Sequence, residues 1–129
     1  MKTEIENKLV IDASTMGALF FQEPEAKFAE KRLSGKIWAA PVLLDYEMGS
    51  IFLKKLKVYP KLRSQLEECY QLYCKTEIER VEVPISSTIP IAEKFGLTIY
   101  DASYFWLAGA LDIDLFTLDK ALSSAWTKR

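Results

Sequence analysis

"KLVIDASTMGALFFQ", residues 8–22, decides the fold. Leu9, Val10 and Ile11 are consecutive and apolar, so this short strand has no face suited to water. A strand buried on both sides belongs to a parallel sheet covered by helices. The strand ends on a carboxylate, Asp12, and the chain passes directly into "STMGALFFQ", residues 14–22, a helical pattern expected to be capped by Ser14 or Thr15. "LFTLD", residues 115–119, repeats the arrangement: an apolar strand, a final aspartate, then "KALSSAWTK" as a short closing helix.

Between these two units strands and helices alternate. "PEAKFAEKRLSG" (24–35) begins on proline and ends on glycine, the usual asymmetry of a helix. "KIWAA" (36–40) reads as a strand, and "PVLLDYEMGSIFLKKLK" (41–57) as a long helix opening on Pro41. "PKLRSQLEECYQLYCKT" (60–76) is a further helix and "ERVEVP" (79–84) a strand with alternating valines. "SSTIPIAEKFG" (86–96) is a helix closed by Gly96, and "TIYDASYFWLAGAL" (98–111) is the most apolar helix of the chain. The expected fold is one domain over residues 1–129. It is a three-layer α/β/α sandwich with a short, mostly parallel sheet of about four strands.

Composition narrows the chemistry. The chain has 129 residues, 50% hydrophobic and 27% charged, the balance of an ordinary globular domain. Charged residues interrupt every apolar run well before the roughly 18 residues of a membrane span. The first residues lack a signal-peptide pattern, so a cytoplasmic protein is expected. Cys69 and Cys74 lie in no metal-binding or redox spacing and read as small helix residues. There is no histidine, which excludes Ser-His-Asp and Cys-His nucleophile systems and any histidine-ligated zinc. A metal here would need oxygen ligands, which indicates magnesium or manganese. The net charge of −1 excludes a broad basic nucleic-acid footprint, but not binding through a metal.

Four carboxylates stand out. Asp12 and Asp119 end strands, and ligands of open parallel sheets bind beyond the carboxyl ends of the strands. Glu47 has Leu43 and Leu44 one turn before it and Ser50 and Ile51 one turn after, which puts it on the inward face of its helix. Asp45, two residues earlier, is expected to point to solvent. Asp101 has Tyr104 and Phe105 at i+3 and i+4 and also leans inward. Unpaired inward carboxylates are costly, and a divalent cation shared by several of them resolves the cost. All four acids have a second reading: Asp12 and Asp119 as helix caps, Asp101 as an acid favoured by the helix dipole, and Glu47 as an ordinary glutamate on the wet face of its helix. Spacing alone does not bring the four together.

"LVIDAS", "LLDYEMGSIF", "GLTIYDASYFWLA" and "LFTLDKAL" resemble, in order, the four acidic motifs of the PIN-domain family, over about residues 8 to 125. The resemblance implies a single α/β/α domain and a metal-dependent ribonuclease, of the kind found as VapC toxins in VapBC toxin–antitoxin pairs. It implies that Asp12, Glu47, Asp101 and Asp119 bind Mg²⁺ or Mn²⁺ and carry catalysis. Ser14 and Thr117 take positions where a small polar residue helps to order the site. Ser50 stands where the family often has asparagine three residues after the glutamate, which puts that support in doubt. The implied partners are an RNA substrate, a second copy of the chain in a homodimer, and a cognate antitoxin.

Two further surfaces are suggested by sequence. Lys54, Lys55, Lys57, Lys61 and Arg63 gather around one helix junction and read either as a phosphate-binding patch or as solvated helix ends. The run Tyr104, Phe105, Trp106 and Leu107 is expected to leave one side of its helix for something other than the sheet to cover. Segment 41–75 offers an apolar groove to an antitoxin, or plain core packing. The alternative to a nuclease is a non-catalytic PIN-fold binding or regulatory module. A phospho-acceptor domain of the flavodoxin type also puts aspartates at strand ends, but only Lys120 follows here.

Overall fold

In the computed structural model, which describes residues 7–129, four strands form one parallel sheet in the order β3-β2-β1-β4. They are β1 (Lys8–Ile11), β2 (Ile37–Pro41), β3 (Glu79–Val81) and β4 (Asp114–Phe116). Val10 pairs with Ala39 on one side and with Leu115 on the other. Val10 and Ile11 are fully buried, as a strand without a wet face requires. Seven α-helices connect and flank the strands among the described residues: α1 (Ala13–Phe20), α2 (Ala26–Leu33), α3 (Leu43–Val58), α4 (Arg63–Lys75), α5 (Ile85–Phe95), α6 (Ile99–Leu111) and α7 (Lys120–Lys128).

The sheet grows outward from β1 through β2 to β3, then the chain returns to add β4 on the other side of β1. Right-handed crossovers in opposite directions put their helices on opposite faces of the sheet. Helix α6 lies across β1, β2 and β4, with α5 and α7 beside it, while α1, α2, α3 and α4 pack among themselves. The direction of growth reverses between β1 and β4, so the crevice of this α/β sheet opens at their carboxyl ends.

Several boundaries differ from the sequence reading for local reasons. The cap of α1 is Asp12, whose carboxylate accepts from the Thr15 backbone N–H, rather than Ser14 or Thr15. Pro41 ends β2 and does not open α3, which starts at Leu43. The segment at 60–76 divides into a single 3₁₀ turn, Pro60–Leu62, and α4. β3 stops at Val81, where β2 also ends and the Val42 N–H closes onto the Val81 carbonyl. β4 stops at Phe116, because Thr117 Oγ1 accepts from the Asp119 N–H and turns the chain into α7.

Helix α6 is covered within the chain. Tyr104, Phe105 and Leu107 are all buried. Phe105 lies between Phe95 of α5 and Trp126 of α7, with ring centroids 5.0 and 5.2 Å away. Burial of Phe105 and Leu107 contributes roughly 1.5–3 kcal/mol each. The cover expected from something other than the sheet thus comes from α5 and α7 of the same chain. What faces outward on α6 is Ile99 and Tyr100 in its first turn and Gly109 and Ala110 near its end, with Trp106 partly covered. Most of the proposed groove in 41–75 is also core. Phe52 stacks between Phe21 and Tyr70, at 6.2 and 4.5 Å, and Leu66 and Tyr73 are buried. Cys69 and Cys74 are free thiols. No helix among the described residues is long and apolar enough to cross a membrane.

Asp45 keeps a partly exposed side chain, 44% open to solvent, but also has partners within the chain. Arg80 of β3 grips it with a two-pronged contact, Nε to Oδ2 at 2.7 Å and Nη2 to Oδ1 at 3.0 Å, and the Tyr73 hydroxyl donates to Oδ1 at 2.5 Å. Partial burial pushes this carboxyl up, but the Arg80 and Tyr73 hydrogen bonds and the Arg80 charge outweigh it and hold its pKa below the usual aspartate value. The stabilisation is present in full above pH 3.8 and is lost as pH falls through the lower folded value. The pair is partly exposed, so Asp45→Asn is expected to cost only about 1 kcal/mol at neutral pH. In urea unfolding followed from pH 6 to pH 3, the gap between wild type and variant should close at the acid end.

Candidate active site

The carboxyl ends of β1 and β4 are joined by one side chain. Thr117 Oγ1 donates to Asp12 Oδ2 at 2.6 Å and accepts from the Asp119 N–H at 2.9 Å. Asp12 is 3% exposed and takes further hydrogen bonds from the Ser14 hydroxyl, 2.9 Å from both carboxylate oxygens, and the Thr15 hydroxyl, 2.9 Å from Oδ1. Ser14 Oγ in turn accepts from the Leu118 N–H at 3.2 Å, a second tie between the two strand ends. Asp119 caps α7, with Oδ1 accepting from Leu122 N–H at 2.9 Å, and its other oxygen has no hydrogen bond among the described residues. The cap reading of Asp12 and Asp119 is thus met, and a carboxylate that caps a helix keeps lone pairs for a further ligand.

Asp101 and Glu47 arrive from helices. Thr98 caps α6, its hydroxyl accepting from the Asp101 N–H at 3.0 Å, which places Asp101 in the first turn. Glu47 lies on the crevice side of α3, and its Oε1 accepts from the Tyr104 hydroxyl at 2.7 Å. Tyr104 is 1% exposed, and burial followed by the Glu47 charge pushes its pKa far up, so it remains a donor. Tyr104 was missed as a site residue in the sequence. Its spacing of three residues from Asp101, used above only as a sign of an inward face, is the signal that could have found it.

Electrostatics binds the four acids into one group. Burial raises the pKa of Asp12 against the pull of its hydroxyl donors. Burial also raises Glu47, and the charges of Asp101 and Asp12 add to it. Asp101 is raised by burial and then by the charges of Asp119 and Asp12. Each acid thus acts on, or is felt by, at least one of the others. Among the described residues no three of them are gathered into a closed ligand set. The donors are all carboxylate oxygens at one crevice, an array that suits a hard cation rather than zinc or copper. Magnesium retains several waters and needs only one or two carboxylates directly, so an open array suits it better than a tight cage.

The supporting residues divide. Ser14 and Thr117 both bind Asp12. Ser50 is exposed on the wall of the cleft that holds Glu47 and donates to no carboxylate among the described residues. The basic cluster disperses. Lys55 pairs with Glu23 at 3.0 Å and lies over Phe21, Arg63 pairs with Glu67, and Lys54 lines the Glu47 cleft. A second hollow, bordered by Lys36, Trp38 and Glu79, lies at the opposite, amino end of β2 and β3 and contains none of the four acids.

The sequence matches the PIN domain profile over residues 9–125. The chain is a PIN-domain protein. It is 29% identical over 121 residues to "Ribonuclease VapC3" of Pyrobaculum aerophilum, covering 90% of this chain and 92% of that relative. Its fold superposes on the crystal structure of PAE2754 from the same organism with a TM-score of 0.64, over 92% of this chain and 85% of the other, at 23% identity. The likeness to that structure agrees with the parallel α/β fold expected from the sequence pattern.

The raised acids destabilise the fold when ionised. An acid whose pKa is higher in the folded chain makes folding less favourable above that value, and the loss is recovered as pH falls through it. Asp101→Asn is expected to raise the melting temperature in metal-free buffer at neutral pH. Its advantage over wild type should shrink on acidification, the reverse of the Asp45 trend; equal melting temperatures at pH 7 would remove the claim of mutual repulsion.

Proposed function

We propose that this chain is a metal-dependent endoribonuclease that hydrolyses RNA phosphodiester bonds and serves as the toxin of a toxin–antitoxin pair. The observation that carries this reading is that Asp12 and Asp119, tied through Thr117 at the carboxyl ends of β1 and β4, are near enough to Asp101 for their charges to be felt there, as those of Asp12 and Asp101 are at Glu47. Membership of the PIN family and the relative named a VapC ribonuclease support it.

On this reading the four carboxylates hold Mg²⁺ or Mn²⁺. Such an ion, when bound, lowers the pKa of water and offsets negative charge on phosphoryl oxygens. The chain's own residues supply placement. Thr117 and Ser14 keep both oxygens of Asp12 oriented, so its position does not depend on the ion. Tyr104 holds Glu47 in one direction, and Asp45, gripped by Arg80, fixes the helix turn from which Glu47 projects. Asp119 keeps one oxygen free of hydrogen bonds among the described residues and could accept a proton from an attacking water.

The partners on this reading are an RNA substrate, a cognate antitoxin and a second copy of the chain. The outward strip of α6 at Trp106, Gly109 and Ala110 supports a close helix contact between copies. The site of action is the cytoplasm, consistent with two free thiols.

Cleavage of a mixed RNA substrate should cease in EDTA and return with Mg²⁺ or Mn²⁺, and cleavage that persists in EDTA rejects the mechanism. Asp101→Asn should lower the cleavage rate by at least about 100-fold, since it removes a metal-binding carboxylate rather than a group supporting one. Tyr104→Phe is expected to weaken Mn²⁺ binding about tenfold, read by calorimetry without RNA, with a loss of stability near 1 kcal/mol. Unchanged Mn²⁺ affinity would reduce Tyr104 to a packing residue.

A further inference from the structure

Two tyrosines face solvent beside the acids. Tyr46 is 75% exposed and Tyr100 is 57% exposed. They come from different helices, and each immediately precedes a site acid, Tyr46 before Glu47 and Tyr100 before Asp101. Both line one cleft of about 390 Å³, together with Leu43, Glu47, Ser50 and Lys54. Neither hydroxyl makes a hydrogen bond and neither ring has an aromatic partner among the described residues. By contrast, Tyr70, Tyr73 and Tyr104 are all occupied in packing or hydrogen bonds.

Lys54 completes the arrangement. It projects from α3 two turns after Glu47, so it shares that helix face. It is exposed, and no carboxylate pairs with it among the described residues. An unpaired cation in one cleft with two exposed aromatic rings, next to an acidic site, matches what a nucleotide presents: a flat base, and a phosphate carrying negative charge.

We propose that Tyr46 and Tyr100 form a stacking platform for an unpaired base of single-stranded RNA, with Lys54 receiving a backbone phosphate beside the Glu47 wall of the crevice. This rests on the ribonuclease reading and adds its substrate form. A base can lie against a tyrosine ring only after leaving its own stack, so the platform selects single strands and loops over duplex. Stacking depends on the face of the ring and not on base identity, so the platform grips without choosing sequence. It also gives the acidic crevice an attractive contact with RNA that does not depend on metal.

The test uses the full chain and a short single-stranded RNA carrying 2-aminopurine, whose fluorescence is quenched by stacking. Binding is followed by stopped flow in Mg²⁺ before cleavage, alongside steady-state cleavage of unlabelled RNA. Wild type should quench the probe and bind the matching duplex far more weakly. Tyr46→Ala and Tyr100→Ala should each weaken single-strand binding about tenfold and reduce quenching, in line with the value of one base–aromatic stack. Tyr46→Phe and Tyr100→Phe should restore both, and the alanine variants should raise KM with little change in kcat. Both positions are exposed, so circular dichroism and melting should match wild type.

Wild-type affinity and quenching in the alanine variants overturn the platform. So do phenylalanine variants as weak as the alanine ones, or alanine variants altered only in oligomeric state, which would assign the rings to a protein contact. Loss of cleavage in Asp101→Asn with no effect of the tyrosine variants rejects the platform and leaves the nuclease reading standing. Ring-dependent quenching by a wild-type protein that cleaves no RNA in Mg²⁺ or Mn²⁺ rejects the nuclease reading and leaves the platform standing.

Discussion

The Asp12 carboxylate, almost wholly withdrawn from water and held by hydroxyl groups from both sides, is the point on which the molecule turns. It caps the first helix, closes the first strand and, through Thr117, ties β1 to β4. A buried charge needs several donors to be tolerated at all. Those donors come from α1 and from the turn after β4, so satisfying the charge also sets the distance between the two strand ends. The crevice is in this sense built around its most expensive residue.

The remaining acids are placed by rigid elements of different kinds. Asp101 sits in the first turn of a helix whose other faces are locked by aromatic packing against α5 and α7. Glu47 is restrained by Tyr104 across the crevice, while Asp45, two residues before it, is pinned by Arg80 and Tyr73. Consecutive odd positions of α3 thus serve opposite ends: one anchors the helix to the edge strand, the other faces the acids. The two carboxylates also respond to protonation in opposite senses. Asp45 stabilises the fold when ionised, and Glu47 and Asp101 do so when neutralised. Stability given up at the crevice is the usual mark of a site shaped for a ligand.

Much of this was legible in the sequence, and the failures have physical causes. Consecutive apolar residues in "LVI" told of a doubly covered strand, and the alternation of elements told of a parallel sheet, because both patterns reflect burial directly. The inward lean of Glu47 and Asp101 followed from helical spacing. The partners of Asp45 were not legible, because Arg80 and Tyr73 lie 35 and 28 residues away, and spacing within a helix says nothing of what stands opposite. The apolar run of α6 was read as surplus surface, since two flanking helices that would cover it could not be placed from sequence. The dual use of Asp12 as cap and site residue was missed for another reason: the two readings were weighed as rivals, although one carboxylate has oxygens enough for both.

The Asp12–Thr117 bond spans 105 positions of the chain. β4 is the last strand to be made, and it fills the side of β1 away from β2. Synthesis proceeds from the amino end, so the early strands and helices exist for some time as a chain whose central strand has an open edge. In that interval Asp12 lacks its cross-strand donor and Asp119 has not been added. Assembly of the acidic crevice is therefore a late event tied to completion of the sheet. A chain interrupted before residue 114 carries most of the mass of the domain and none of its assembled chemistry.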